Sequence, residues 1–159
     1  MFALAAGCLG FVPLAAQPAK PTLELSAANG QTTFRVGERI PLRLDLTGPG
    51  DKKYSIDTAS YDRSGRLDLD TFDVSPATGW SDPLAQYFSQ GVFMGGGLRG
   101  SRTLSPKPVS FDADLNEQVR FDQPGTYTVT AISHRVGFTK HGMTLELPTA
   151  PAVAKASAQ

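Results

Sequence analysis

Cysteine is almost missing from this chain. Cys8 is the sole one in 159 residues and it sits in the first apolar stretch, so no disulfide can form within the chain. A thiolate zinc site is excluded for the same reason. Histidine is nearly as scarce: His134 and His141 stand either side of an expected turn, and a zinc site would need both plus carboxylates. A solvated pair is the simpler reading. Charge of one sign is also lacking, since fifteen basic and fifteen acidic residues cancel. The chain therefore has no net field with which to seek nucleic acid or an anionic membrane.

Catalytic signatures are lacking too. There is no Gly-x-Ser-x-Gly elbow, no Ser, His and acid arrangement and no Cys nucleophile beyond the leader, which leaves covalent hydrolase chemistry without support. A two-carboxylate glycosidase needs only spatial proximity, but nothing selects a pair. Gly95-Gly96-Gly97-Leu98-Arg99-Gly100 lacks the Gly-Lys-Ser/Thr ending of a phosphate loop, and Pro106 and Pro108 arrive where its helix should follow. An enzyme is not expected, and no cofactor is. Helix-favouring runs are few, whereas twelve Pro and sixteen Gly suit an all-β domain with many turns.

What is present is strand, turn and strand, most clearly from Asn116 to Val136. Val119 and Phe121 alternate with polar residues, Gln123-Pro124-Gly125 supplies turn chemistry, and Tyr127, Val129 and Ala131 resume the alternation. Upstream, Ile40, Leu42, Leu44 and Leu46 point one way and Arg43 and Asp45 the other, the clearest amphipathic strand in the chain. Pro41 lacks a ladder donor, which places that end at an edge or bulge. Further strands are expected at 22–25, 32–36, 53–61, 67–74 with a break near Asp70-Thr71, 108–114, 117–121 and 143–147.

The two ends read differently. Residues 1–17 are uncharged, apolar and finish in small residues, as a secretory signal peptide cut near Ala16 or Gln17 would. Leu4-Ala5-Ala6-Gly7-Cys8 also has the outline of a short lipobox, which would anchor the chain as a lipoprotein at Cys8. Residues 18–21 form a proline-punctuated linker, and the Ala/Pro-rich run 148–159 reads as a disordered tail or second linker. The expected location is periplasmic or extracellular, with no membrane insertion after cleavage.

From about 76 to 106 the alternation stops. Ser81 to Phe88 should hold a short helix, capped by Ser81 or Asp82 with Pro83 in its first turn. Long loops are where function concentrates. Trp80, Tyr87, Phe88 and Phe93 would either form a private mini-core or present a platform for carbohydrate. Arg99, Arg102 and Lys107 would pair with the acids of 57–73 or form half of a protein contact. Asp68, Asp70 and Asp73 are candidate calcium ligands, although they lack the order of a calcium loop and alternation puts them on the wet face of a strand.

A Tyr two residues past a Pro-Gly turn, here Pro124, Gly125 and Tyr127, matches the corner at which immunoglobulin-like sandwiches bond a phenol back to the turn. With Val36-Gly37-Glu38 followed by Leu42 and Leu44, it makes residues 22–147 resemble bacterial extracytoplasmic immunoglobulin-like domains. The resemblance implies an antiparallel β-sandwich carrying a long irregular insertion. It also implies an interaction or spacer module at the front of a larger cell-envelope or secreted protein, working on a protein partner or an adjoining domain. Carbohydrate binding through the insertion's aromatics is one alternative; proteinase inhibition, with the loop at 91–102 as bait, is another.

Overall fold

The computed structural model describes residues 20–63, 65–90, 97–139, 144–150 and 152–157. The expected leader, Cys8, Phe93, His141 and most of the glycine run lie outside them. In chain order the first strands are β1 (Thr22–Ala27), β2 (Thr33–Arg35), β3 (Pro41–Thr47), β4 (Tyr54–Asp57), β5 (Asp70–Ser75) and β6 (Trp80–Ser81). A short helix, α1 (Ala85–Ser89), precedes β7 (Ser101–Thr103), β8 (Val109–Asp114) and, after a 3-10 turn at Leu115–Glu117, β9 (Arg120–Phe121). The chain continues through β10 (Gly125–Ser133), β11 (Val136–Phe138), β12 (Leu147–Pro148) and β13 (Ala152–Ser157). The fold is all-β.

Alternation decides the layers. Leu42, Leu44 and Leu46 of β3 are buried, and β1 and β8 pair antiparallel on either side of them. Hiding Leu44 and Leu46 completely is worth about 1.5–3 kcal/mol each. On the outer face of the same sheet Arg43 pairs with Asp45 at 3.2 Å and donates to Ser110 Oγ at 2.7 Å. In the second sheet β10 turns Tyr127, Val129 and Ala131 inward; β5 pairs along one side of it, and β12 and β13 along the other. Leucines of the first sheet and Phe72, Val74, Tyr127 and Val129 of the second belong to one core. A third antiparallel sheet, β11-β4-β7, continues beyond the kink at His134-Arg135, and β6 pairs with β9.

Four expectations are corrected or refined. Pro41 begins β3, which is the central strand of its sheet; the first position of a strand tolerates the missing donor as well as an edge does. Residues 152–157, expected in a linker tail, form β13, antiparallel to β10 and parallel to β2. The open backbone of β10 supplies the pairing that the run's own composition does not announce. The helix begins later than expected, at Ala85 with Pro83 outside it, and Asp82 does not cap it: its Oδ1 accepts from Leu84 N–H at 3.0 Å in the turn before α1. The break near Asp70-Thr71 is the start of β5, with Leu67 and Leu69 outside any strand.

Candidate functional site

A charged side chain aimed into a core must find a partner there. Arg135, just past β10, has the same parity as Tyr127, Val129 and Ala131 and points inward, 5 % exposed. Asp70 has the parity of Phe72 and Val74 and is likewise buried. They meet: Arg135 Nε donates to Asp70 Oδ2 at 2.7 Å, and Ser133 Oγ donates to Asp70 Oδ1 at 2.6 Å. Arg135 Nη1 donates to the carbonyls of Ala59 (2.7 Å) and Asp57 (3.3 Å), and the guanidinium lies 3.9 Å from the Phe111 ring centroid. Pairing, hydrogen bonding and a ring face together offset the desolvation of two charges.

One guanidinium nitrogen is left over. Nη2 of Arg135 has no hydrogen-bond partner, and among the described residues no fully buried side-chain polar atom lacks one, so Nη2 keeps contact with solvent. Arg135 lines a groove of about 580 Å³ together with Phe72, Phe111, Asp112, Glu117 and Gln118. At the rim Arg39 pairs with Asp114 at 2.8 Å. Asp112 and Glu117 make no ion pair among the described residues.

The groove runs between two strand edges. Leu115 N–H donates to Ile40 carbonyl and Ala28 N–H to Pro41 carbonyl, which fixes the phase of the ladders on both sides of β3. The Leu115-to-Ile40 bond puts even-numbered β3 residues in hydrogen-bonded positions, so Leu42, Leu44 and Leu46 bond Ala113, Phe111 and Val109. The backbone N–H and C=O groups of Ser110, Asp112 and Asp114 therefore point away from the sheet. On β5 the bond from His134 N–H to Leu69 carbonyl sets the same logic: Asp70, Phe72 and Val74 turn their backbone groups outward, and Asp70 carbonyl accepts from Gln118 Nε2 at 2.9 Å.

Apart from Asp70, the site residues singled out from sequence fall elsewhere. Trp80 is half-buried against the core, with its indole N–H bonded to Pro76 carbonyl at 2.9 Å. Phe88 is half-buried beneath Arg66, 4.3 Å from its centroid, and Tyr87 meets Phe88 edge-on while staying 60 % exposed. Arg66 also clamps Asp82 through two bonds of 2.7 and 2.9 Å, which hold that carboxyl below its usual range. Arg66, Asp82, Tyr87 and Phe88 thus form a small packed cluster, while Trp80 packs on the main core. Arg99 donates to Asp62 at 2.8 Å, the local pairing expected of the loop, while Arg102 lies exposed in β7.

The reading of Asp68, Asp70 and Asp73 as the wet face of one strand is corrected, because Asp70 is buried. Asp70 is committed to Arg135 and Ser133, Asp73 points to the opposite face of β5, and Asp68 lies in the turn before it. Among the described residues no group of His, Cys, Asp and Glu is placed to hold a metal ion. Pro124 and Gly125 lead into β10 as expected, and Tyr127 Oη lies 3.0 Å from Gln123 carbonyl and 3.1 Å from Gly79 carbonyl. Arg135, Phe111, Asp112 and Glu117 were not singled out from sequence. The signal for Arg135 was parity, which carries a guanidinium to the core face. Comparison with family models, curated proteins and solved structures finds no significant match to this chain. The reading of the site therefore rests on its geometry.

Proposed function

We propose that the chain is a non-catalytic interaction or spacer module with an exported, immunoglobulin-like sandwich fold, acting on a protein partner or on an adjoining domain of a larger envelope or secreted protein. The Tyr127 bond to Gln123 and the core shared between two sheets support the fold. One observation carries the function: buried charges are committed to internal partners while backbone edges are left open. Asp70 is taken by Arg135, Asp82 by Arg66 and Asp62 by Arg99. A general acid or base needs a proton or lone pair free to face substrate, and these carboxylates spend theirs on guanidinium groups.

The carbohydrate alternative has one observation in its favour, the exposed Tyr87 and Leu84 on and beside α1. The inhibitor alternative needs an exposed bait within 91–102, where Ser101–Thr103 is tied to β4. The test of the module reading is incubation of the purified chain with peptide and polysaccharide libraries, read by mass spectrometry. Unchanged libraries fit it. A product that disappears with Asp112→Asn/Glu117→Gln would contradict it, since those are the groove's carboxylates outside ion pairs.

A further inference from the structure

We propose that the free edge of β8 takes an extended peptide strand bearing Lys or Arg from a partner protein. The proposal deepens the interaction-module reading and rests on it. β8 presents three outward N–H and C=O pairs, at Ser110, Asp112 and Asp114, in register for one more strand. It has six residues with no proline, and the groove lies directly beside it.

Charge sets the chemistry of the added strand. The groove's ionisable residues are Arg39, Asp70, Asp112, Asp114, Glu117 and Arg135, four acids against two bases. The pairs Arg39–Asp114 and Arg135–Asp70 cancel, which leaves Asp112, whose cross-strand neighbour Arg43 is turned to Asp45 and Ser110, and Glu117, which makes no ion pair but lies close enough to act on Arg39. A cation opposite Asp112 on the outer face would complete a cross-strand pair. The alternate residues of the same strand would face inward, over Phe111 and the Arg135 guanidinium that packs on it, whose Nη2 makes no hydrogen bond within the chain. Because Asp70 already neutralises Arg135, that donor suits an uncharged oxygen, such as a Thr hydroxyl or an Asn amide.

Acids on an edge also serve to repel unwanted strands. That role requires neither a groove nor a guanidinium nitrogen, on a side chain 4 % exposed, waiting without a partner. A second copy of the chain is the poorer occupant. Two β8 edges paired antiparallel about Asp112 would set one Asp112 against the other, a destabilising like-charge pair.

The probe is a capped, fluorescein-labelled heptapeptide, Thr-Lys-Thr-Lys-Thr-Lys-Thr, with a Glu-for-Lys version as control, read by fluorescence anisotropy at low salt. Saturable binding of the Lys peptide alone is expected at or below about millimolar concentration. Asp112→Pro removes one outward N–H and a carboxylate without touching the ladder to β3, so binding should weaken by about tenfold or more while circular dichroism stays native. Asp112→Lys should reverse the preference toward the Glu peptide. Absence of binding, equal binding of both peptides, or indifference to both variants would overturn the proposal. So would a dimer in sedimentation that Asp112→Pro dissolves, because the edge would then serve a second copy. Failure here leaves the module reading standing as long as the libraries stay unchanged, whereas library turnover would sink that reading directly.

Discussion

Asp70 and Arg135 show how much of this core depends on two charges. Arg135→Ala would strand the Asp70 carboxylate with Ser133 as its remaining side-chain partner, at a cost of about 3–5 kcal/mol in denaturant unfolding. Asp70→Leu combined with Arg135→Met should recover most of that loss, because an apolar pair of similar volume replaces the ion pair without leaving a charge behind. Tyr127→Phe removes a hydroxyl that bonds Gln123 and Gly79 carbonyls, and should cost about 1–2 kcal/mol. Gly79 adopts φ +85°, and a Cβ there would meet Tyr127 Oη. Gly79→Ala should therefore cost more than about 1 kcal/mol, and less in the Tyr127→Phe background, where the clash is gone but the backbone penalty remains. Parity made these residues partly legible: Tyr127 was found through its turn, and Asp70 and Arg135 could have been found by extending the same alternation one step at each strand end. Treating the acids of 68–73 as one wet cluster hid that Asp70 and Asp73 lie on opposite faces.

At the scale of elements, the strands with strong alternation were legible and the one without it was not. Leu42, Leu44 and Leu46 announce β3 by themselves, while Ala152–Ser157 becomes a strand through the two neighbours that flank it. The bond from Thr149 N–H to Ala131 carbonyl fixes which β10 groups face β13: Tyr127 and Val129, by their odd parity. Truncation after Ala150 should leave those two amides unprotected in hydrogen exchange, with Thr128 and Thr130 still shielded by β5. The insertion was legible in its short helix, but not in β6 and β7, the two short strands within it that pair with β9 and β4, nor in its contacts. Arg66 reaches it from another loop to cover Phe88 and clamp Asp82, a long-range meeting that local pattern cannot disclose. The clamp has a pH signature. Arg66 holds the Asp82 carboxyl below its ordinary value of 3.8, so its stabilisation is present above that pH and fades as pH falls through the folded value. The urea midpoint should decline on that acid limb, and Arg66→Ala should flatten the part due to Asp82.

Among the described residues, a chain with no net charge packs its sheets on one core and leaves strand edges facing a groove. Composition made the all-β class legible. It could not disclose the groove, because an open edge is a property of which strands fail to pair. No helix among the described residues is long and apolar enough to cross a membrane. The functional account stands on the edge of β8 being open in solution, and backbone amide exchange of the intact chain tests that most directly. The account predicts an alternating pattern along β8: slow exchange at Val109, Phe111 and Ala113, which donate to β3, and fast exchange at Ser110, Asp112 and Asp114. Uniform protection of all six would show that another strand already covers the edge, and would contradict it.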